Sequence, residues 1–541
     1  MSPENKERWI VLQPLILSVM MAVGIMIGFR MSENKTDKLL EEVPYQEGHK
    51  MIGRVEELIR FVENRYVDPI DGDVLIDEAL QSVFKKLDPH SIYISPFELE
   101  DINDQMNGSF YGIGIETFMI NDTVHICGLM PESPAMLGGI RIFDKIIAID
   151  DTLVAGKEMH FDEVRKMLRR KNGENVQLDI DRAGKKVSVK LIPDRISVRS
   201  VVNAFIIDDS IAYISLDRFS SNTYKEFMEE VEMLFDKADA KHLILDLRGN
   251  PGGYLPEATN LLCQIFEEKN RLLVYTEGKN NKRNEYNSTG KRFFSINQVA
   301  VLVDENSASA SEIIAGAIQD WDRGVIIGRR SFGKGLVQEQ YDLNNGGAVR
   351  LTVARYYTPS GRCIQKSYQD LTTYDDDIHD RYSNGYLFDN DSTLLNRDTT
   401  QYFSKLLKRK LLSSGGINPD IFVPLDSALQ DENILQTEYL IAEFVFKQMS
   451  EGRIKKVVSN DFAKNFELDD RIFSELKTYA GLPSNFDEKR LKKYFGNNIR
   501  YHIIKYSLDA KQAALFDSNF DPFVMKARDY IRSNKSLIQL H

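Results

Sequence analysis

The pattern of apolar and polar positions divides most of the chain into three segments of different periodicity. Helical spacing of apolar residues runs from about residue 50 to 105, as in "MIGRVEELIRFVENRYV". From about 106 to 193 the pattern changes to short strands and turns, interrupted by one helical run, "FDEVRKMLRR". Residues 194–368 then alternate apolar strands with amphipathic helices. This alternation predicts a sheet covered by crossover helices.

The last part of the chain is less regular. Residues 369–412 are polar and acidic, with "YDDDIHD" and "FDNDS", and predict a long surface insertion. Residues 426–541 return to helical spacing and contain no motif that suggests chemistry. This C-terminal region, with about 115 residues, is long enough to form a separate domain.

One segment near the N-terminus has the length of a membrane span. Residues 9–29, "WIVLQPLILSVMMAVGIMIGF", contain no charge and are long enough to cross ~30 Å of hydrocarbon at ~1.5 Å per residue. No small-residue cleavage site follows, so we predict an uncleaved signal-anchor. The basic residues that flank the span do not decide its orientation.

Composition narrows the possible functions. The formal net charge of −12 argues against nucleic acid as the main partner, and 42% hydrophobic residues indicate an ordinary folded protein. The three cysteines, Cys127, Cys263 and Cys363, lack the spacing of a disulfide framework or a zinc site. The sequence therefore implies no metal and no cofactor.

The segment 305–320, "ENSASASEIIAGAIQD", places three serines directly before a predicted helix. An apolar strand precedes them, so the segment predicts a strand, a tight turn and a helix with free N–H groups at its N-terminus. Ser309 and Glu312 have the spacing of a capping box, and such serines are usually only caps. A nucleophile at position 309 would have the amide of Ala310 close to its oxyanion.

A nucleophilic serine needs a base, and no histidine lies in or near this motif. A Ser-His-Asp triad stays open, although nothing in the sequence favours it. In "GRRSFGKGLVQEQ", Lys334 stands between glycines that would allow its amine to be buried. Burial can lower a lysine pKa by ~3–5 from about 10.4, which makes a neutral general base possible. Gln338 would share a strand face with Lys334 and position the amine.

The same segment, from Gly328 to Gly335, nearly matches the phosphate-binding pattern G-x-x-x-x-G-K-[ST]. An ATPase is therefore an alternative interpretation. It is the weaker one, because Gly335 replaces the magnesium-binding hydroxyl and a predicted strand follows where a phosphate loop needs a helix.

A second glycine-rich turn, in "LDLRGNPGGYLPEA", follows a predicted strand. Its glycines include Gly252 and Gly253 and would leave N–H groups open, as an oxyanion hole requires. Taken alone, the segment is better explained as a simple strand-to-helix turn.

Four segments resemble the carboxyl-terminal processing proteases, a family of serine peptidases, in residue identity, order and spacing. They are "DLRGNPGG", "ENSASASEIIAGAIQD", "SFGKGLVQ" and "RYYTPSGRCIQ". The segment "LDPHSIYIS" also resembles a family segment. The resemblance implies that Ser309 is the nucleophile, Lys334 the general base and Gln338 the third member of the site. It also implies that Ser307 and Ser311 are structural.

With this resemblance, the oxyanion hole would consist of the N–H groups of Ala310 and of Gly252 or Gly253. The resemblance covers two ranges of the chain: about 50–368 and 415–425. The insertion at 369–412 and the region from 426 depart from the family pattern, which leaves substrate choice and assembly open.

Residues 108–192 resemble a PDZ domain, with "YGIGIE" in the place of its carboxylate-binding loop. Backbone N–H groups in this loop would capture a terminal carboxylate, and the adjacent strand edge would accept an extended peptide. The candidate residues are Gly112, Ile113, Gly114 and Ile115. The glycines would also be explained by a simple bend, but "PESPAMLGGIRIFDKIIAIDD" extends the PDZ resemblance and favours the binding loop.

We therefore predict a multidomain α/β protein with an N-terminal membrane anchor, a PDZ-like β-rich domain, an α/β serine peptidase core of the crossover-helix type and a helical C-terminal extension. The expected function is that of a serine endopeptidase that captures protein C-termini and cleaves them with a Ser-Lys dyad. The alternatives are a catalytically inactive PDZ-type scaffold or adaptor and, less favoured, a P-loop-like NTPase.

The predicted boundaries are, in order, 1–8 cytoplasmic tail, 9–29 transmembrane signal-anchor, 30–45 linker, 46–107 N-terminal helical region, 108–192 PDZ-like domain, 193–368 and 413–425 peptidase core, 369–412 polar insertion, and 426–541 C-terminal helical region. The resemblance places a single pass in the bacterial inner membrane and the catalytic part in the periplasm. The expected partners are protein or peptide substrates with free C-termini, and the membrane through 9–29. Nucleic acid is not expected, and a homo-oligomer is compatible with the sequence.

Overall fold

The computed structural model describes these ranges of the chain: 49–168, 173–208, 210–389, 400–413, 415–459 and 467–533. The predicted tail, anchor and linker, residues 1–45, lie outside them. No helix within these ranges is both long and apolar enough to cross a membrane. The chain divides into two compact units between Val83 and Phe84.

Helices dominate the N-terminal region, as its periodicity predicts. The first unit contains α1 (His49–Arg65) and nearly all of α2 (Gly72–Phe84). The second unit begins with a short strand, β1 (Ile92–Ile94), followed by α3 (Pro96–Met106).

The predicted β-rich domain follows. Its elements are β2 (Ser109–Gly112), β3 (Ile115–Ile120), β4 (Thr123–Leu129), α4 (Pro134–Leu137), β5 (Lys145–Ile149), β6 (Thr152–Leu153), α5 (Phe161–Leu168), β7 (Val176–Arg182), β8 (Lys185–Leu191) and β9 (Asp194–Ser197). An antiparallel sheet has the order β3-β4-β5-β7-β8 with β6 beside β5, and β2 pairs with β9. Side chains alternate along β3, so Ile115 and Met119 face the domain core while Phe118 and Ile120 face the C-terminal region.

The α/β core alternates strands and helices as predicted. Its elements are β10 (Val201–Ile207), β11 (Ile211–Leu216), α6 (Thr223–Val231) continued by a π-helical turn (Glu232–Lys237), β12 (His242–Asp246), α7 (Leu255–Ile265), β13 (Leu272–Glu277), β14 (Asn284–Asn287), β15 (Val299–Val303), α8 (Ala310–Asp320), β16 (Val325–Gly328), β17 (Leu336–Asp342) and β18 (Ala348–Tyr357). The insertion contains α9 (Leu371–Asp375), α10 (Asp377–Ser383), β19 (Tyr402–Phe403) and β20 (Lys410–Leu411), and the closing strand is β21 (Ile421–Phe422).

The central sheet has the strand order β10-β11-β12-β15-β16-β21, with β10 antiparallel to β11 and the later pairs parallel. One face, with Leu243 and Val301, packs against α6, α7 and α8. The other face, with Ile244 and Leu302, packs against the C-terminal region. Burial on both faces explains why β15 is continuously apolar. A second sheet has the order β1-β18-β13-β14, with β17 beside β18.

The insertion is not a surface segment throughout, contrary to the expectation from its polar composition. Tyr374, Arg381 and Leu411 are 3%, 3% and 4% exposed. Arg381 pairs with Asp377 on the same helix, at 2.7 Å, which compensates its buried charge. The surface interpretation is therefore wrong for these parts of the insertion.

The C-terminal region is helical, as predicted. After a 3₁₀ turn (Ser427–Gln430) it contains α11 (Glu432–Ser450), α12 (Asp470–Tyr479), α13 (Glu488–Ser507), α14 (Ala510–Asp517) and α15 (Pro522–Ser533). It is not an independent domain. Phe523 and Ala527 of α15 cover the second face of the central sheet. Phe446 of α11 contacts Phe118 and Phe143 of the β-rich domain, with ring centroids 5.5 and 4.9 Å away.

Candidate active site

The turn between β15 and α8 places its three serines in different environments. Ser307 and Ser311 are fully buried. Ser307 Oγ donates to the carbonyl of Leu247 at 2.8 Å, and Ser311 Oγ donates to that of Asn250 at 3.0 Å. Ser309 lies between them and is partly exposed. The two outer serines thus fasten the turn to the glycine-rich segment after β12, and Ser309 is the serine with access to solvent.

Ser309 has an unusual backbone conformation, with φ +54° and ψ −112°. A positive φ is uncommon for a residue with a Cβ, and such strain concentrates at functional sites. A strained serine on a sharp strand-to-helix turn is the arrangement that projects a nucleophile in other hydrolases. The geometry therefore fits the role expected for Ser309.

Glu312 joins this turn to the loop that carries Lys334. Its buried carboxylate accepts the amides of Ser309 and Lys334 on Oε2, both at 2.8 Å. Its Oε1 accepts the Gly333 amide at 2.7 Å and the Ser331 hydroxyl at 2.6 Å. The bond to Ser309 is the carboxylate half of the predicted capping box, whereas the bonds to the lysine loop were not predicted. Burial raises the pKa of Glu312 to about 7.

The Lys334 amine is in surroundings that favour its neutral form. Burial lowers the pKa of Lys334, and the charge of Arg350 lowers it further. The carboxylates of Glu312 and Asp88 oppose this shift without reversing it. The direction is the one that a general base requires at moderate pH.

Tyr356 of β18 provides a second backbone link between the two candidate residues. Its hydroxyl lies 3.1 Å from the Ser309 carbonyl oxygen and also within hydrogen-bond distance of the Lys334 carbonyl. No hydrogen bond among the described residues joins Ser309 Oγ directly to the Lys334 amine. The site therefore brings the two residues together through their backbones.

Gln338 lies on β17, which begins at Leu336. Lys334 precedes the strand, so the period of two does not relate the two residues, and the argument for a common strand face is wrong. Gln338 pairs with Thr352 of β18 after a register irregularity at Val337. Its amide nitrogen is buried and has no hydrogen-bond partner within the described ranges.

The phosphate-loop interpretation of residues 328–335 is also contradicted. A phosphate loop leads into a helix whose N-terminus binds the anion. Here the segment leads into β17, a strand paired with β18 along its length. The residues that resemble a nucleotide-binding pattern therefore cannot form that site.

The two candidate oxyanion glycines differ in whether their backbone amides are free to donate a hydrogen bond. Gly252 touches the serine turn, because a Cβ built on it would lie 2.6 Å from Ser309 Cβ and 2.8 Å from the Ala310 nitrogen. Its own amide, however, donates to Asn250 Oδ1 at 2.8 Å. The amides of Gly253 and Ala310 have no partner in the part of the chain that the structure describes. Because Ala310 begins α8, the available donors are Gly253 and the helix N-terminus.

A histidine does lie close to Lys334, although the sequence places none near the motif. Burial and the charge of Lys334 lower the pKa of His90 to about 4. His90 Nε2 lies 2.6 Å from the Tyr374 hydroxyl. The ring is therefore neutral and bonded to Tyr374, and within the described residues it forms no pair with Ser309.

The predicted carboxylate-binding loop joins β2 to β3. The carbonyls of Ile113 and Gly114 accept amides from inside the domain, at 2.9 and 3.0 Å. A trans peptide points its carbonyl and its N–H in opposite directions, so the N–H groups of Gly114 and Ile115 point away from those partners. Gly112 ends β2 and pairs with Asp194. In the described sheet β3 pairs only with β4, so its other edge is open.

Known proteins match the two central parts of the chain. Residues 210–374 match the family model described as Peptidase family S41, and residues 125–182 match that of the PDZ domain. A carboxy-terminal-processing protease of Bartonella bacilliformis is 33% identical over 325 residues, which cover 59% of this chain and 74% of that protein. The carboxy-terminal processing protease CtpB of Bacillus subtilis is 31% identical over 327 residues, which cover 59% and 67%. Among solved structures, a photosystem II D1 C-terminal processing protease is 27% identical with a TM-score of 0.34, covering 57% of this chain and 89% of that one.

Proposed function

Because this chain belongs to the carboxy-terminal processing proteases of peptidase family S41, and is a serine-type peptidase with a PDZ domain, we propose that Ser309 is its nucleophile and Lys334 its general base. The observation that carries the assignment is the carboxylate of Glu312, whose Oε2 binds the amides of both residues at 2.8 Å. The strained turn gives Ser309 access to solvent, and burial lowers the pKa of Lys334. Each residue thus has the property that its role requires.

In the proposed reaction, the neutral Lys334 amine takes the proton of Ser309 Oγ while Oγ attacks the peptide carbonyl. The amides of Gly253 and Ala310 stabilise the negative oxygen of the tetrahedral intermediate. The Lys334 ammonium then gives its proton to the leaving amine as the C–N bond breaks, which leaves an acyl-enzyme. Water, deprotonated by the same amine, attacks the ester and releases Ser309 and the new carboxylate. Gln338 would orient the amine between these steps.

The PDZ domain would deliver the C-terminus of a protein substrate. The outward N–H groups of Gly114 and Ile115 suit a terminal carboxylate, and the open edge of β3 suits an extended peptide. Main-chain bonds of this kind depend little on side chains. We therefore expect the enzyme to accept varied C-terminal sequences and to cut the chain upstream of the captured end.

We further propose that residues 9–29 anchor the protein in a bacterial inner membrane, with the catalytic part in the periplasm. The support is the uncharged length of this segment and the bacterial source of the similar proteases. Alkaline phosphatase, which folds only outside the cytoplasm, can be fused after residue 45. An active fusion is expected, and an inactive but stable fusion would contradict the orientation.

A serine-directed fluorophosphonate tests the nucleophile and separates the enzyme from an inactive scaffold. We expect covalent labelling of the native protein, located by mass spectrometry at Ser309. The Ser311→Ala variant serves as the matched control and should keep the label, because Ser311 Oγ is buried against the Asn250 carbonyl. A folded, unlabelled protein, or a label on Ser307 or Ser311, would refute the assignment.

A further inference from the structure

The loop that carries Lys334, residues 330–335, is held on two sides by buried charged groups. Its amide side faces Glu312, the residue that also binds the serine turn. Its carbonyl side faces Arg381, which comes from α10 in the insertion. The insertion therefore contacts the loop of the candidate base, although its composition suggested only a polar surface.

Arg381 makes several contacts with the loop. Its Nη1 lies 3.0 Å from the carbonyl oxygens of both Arg330 and Ser331, and its Nη2 lies 3.5 Å from that of Phe332. Asp377 compensates the charge at 2.7 Å. A planar guanidinium can serve two acceptors in fixed directions, which an ammonium group on a flexible stem does less well. The Arg381 guanidinium therefore determines the direction of successive peptide units just before the lysine.

We propose that Arg381 is a positioning residue for Lys334: it keeps the loop in the conformation that buries the Lys334 amine. This inference rests on the proposed roles of Ser309 and Lys334. It gives the insertion a part in catalysis through the position of the base.

Other contacts also hold the loop, so loss of Arg381 should displace it rather than unfold it. The Ser331 amide donates to the Ile417 carbonyl at 3.0 Å, and the Ile417 amide donates to Ser331 Oγ at 2.6 Å. The Lys366 amide donates to the Gly333 carbonyl at 2.9 Å. Arg381 adds contacts to the carbonyls of 330–332 that these bonds do not supply, so its loss should shift these positions and, with them, the lysine.

The influence of Arg381 on the amine passes through the geometry of the loop. The charged groups that act on Lys334 are Arg350, Glu312 and Asp88, and His90 also faces it. All of them lie outside the insertion. A displaced loop would expose the amine to water, and a better-solvated amine has a pKa closer to that of an ordinary lysine.

The test replaces Arg381 by methionine in the full chain and measures kcat and KM on a peptide across pH. We expect kcat to fall by about 10- to 100-fold with little change in KM, because a small misplacement of a catalytic group has this effect. We also expect the part of the pH profile of kcat/KM that rises as Lys334 loses its proton to move to higher pH, by roughly one pH unit. Arg381→Lys should rescue part of both effects, since it keeps the charge and can still donate to a loop carbonyl, although without the fixed geometry of the guanidinium.

Arg409 offers a matched control within the same insertion. It is 8% exposed and pairs with Asp322 and Asp420, both at 2.7 Å, and both of these partners lie outside the 330–335 loop. Arg409→Met should therefore lower thermal stability without moving the pH profile. The same comparison can be made by the rate of phosphonate labelling at Ser309, which does not depend on substrate binding.

The positioning role would be overturned if the pH profile of kcat/KM for Arg381→Met stays in place or moves no more than that of Arg409→Met. If Arg381→Met does not fold, the Arg381→Lys variant decides by the same profile and labelling rate. Failure of the proposed function looks different. An active Lys334→Arg enzyme, or a wild-type profile without a rising limb, would remove the lysine base and the inference with it.

Discussion

The peptidase site and the PDZ loop differ in what holds their functional groups. At the peptidase site, Ser309 and Lys334 come from separate segments and are joined by the buried carboxylate of Glu312. In the PDZ loop, the proposed binding groups are the amides of the neighbouring residues Gly114 and Ile115, oriented by bonds within one small domain. The first arrangement depends on individual side chains, and the second depends on the backbone.

This difference predicts two kinds of response to change. At the peptidase site each proposed catalytic side chain does chemistry that no neighbour replaces, so its removal should stop the reaction for every substrate. In the PDZ loop the main-chain bonds contribute mainly to affinity, so their loss should be graded and should depend on the substrate. Substitutions in the two regions therefore test whether their responses differ in this way.

The largest effect is expected for Ser309→Ala, which should lower kcat by about 10⁴-fold or more, since no other group can form the acyl-enzyme. Ser307→Ala and Ser311→Ala remove buried hydroxyls that bond to the carbonyls of Leu247 and Asn250, and both variants should keep most activity. Peptide cleavage and thermal unfolding are measured together, because loss of a helix cap costs ~0.5–2 kcal/mol. If Ser309→Ala keeps a kcat well above about one ten-thousandth of the wild-type value, another nucleophile operates.

Lys334→Arg should be as inactive as Lys334→Ala, with a loss of about 10³-fold or more in kcat. Arginine keeps the charge but cannot release its proton at any useful pH. In the wild type, activity should rise with pH as the ammonium loses its proton, at a pH below the ordinary lysine range because burial lowers its pKa. Substantial turnover by the arginine variant would show that Lys334 acts only through its charge.

Glu312→Gln should reduce kcat by about 10- to 100-fold, because its side-chain amide would present a donor to backbone donors and misalign both proposed catalytic residues. The wild-type carboxylate must be ionised to accept its four bonds, and its pKa is raised to about 7. Activity should therefore fall as the pH drops below about 7 and Glu312 takes up a proton.

Glu226→Gln is the matched control for that variant. Glu226 is also buried and accepts two backbone amides, those of Ser200 and Val201, at 2.7 and 3.1 Å. Its substitution should cost stability with little effect on kcat. Equal kcat losses in the two variants would indicate that Glu312 contributes only to folding.

Most of the fold, and the turn and loop that carry the two proposed catalytic residues, could be predicted from the sequence, because they depend on local pattern. Apolar periodicity indicates the strands and crossover helices, and the bond between Glu312 and Ser309 follows from their spacing of three. The bonds from Glu312 to Gly333 and Lys334 depend on how distant segments meet, which no local spacing encodes. The link through Tyr356 has the same origin.

The errors arose where a boundary or a partner decides the outcome. The face shared by Lys334 and Gln338 required a strand that includes both, and β17 starts between them. Gly252 has the backbone freedom of an oxyanion donor, but the side chain of Asn250 occupies its amide. The insertion has an acidic composition, yet Arg381 is buried because Asp377 and the loop carbonyls pair with it.

The smallest effect is expected when the substrate's C-terminal carboxylate is replaced by an amide. The neutral amide removes the charge that the N–H groups of Gly114 and Ile115 would bind, and a charge-assisted hydrogen bond contributes about 1–1.5 kcal/mol more than a neutral one. Below saturation, kcat/KM should therefore fall roughly 10-fold or somewhat more for the amidated peptide. Once acylation occurs the two peptides give the same acyl-enzyme, so kcat at saturation should change little if acyl-enzyme hydrolysis is rate-limiting.

A chain that lacks 108–192 is the internal control, since it should cleave the free-acid and amidated peptides at equal rates. Equal rates in the intact enzyme would show that the loop does not capture the carboxylate. The PDZ loop would then not be the backbone binding site that is contrasted here with the side-chain site of the peptidase.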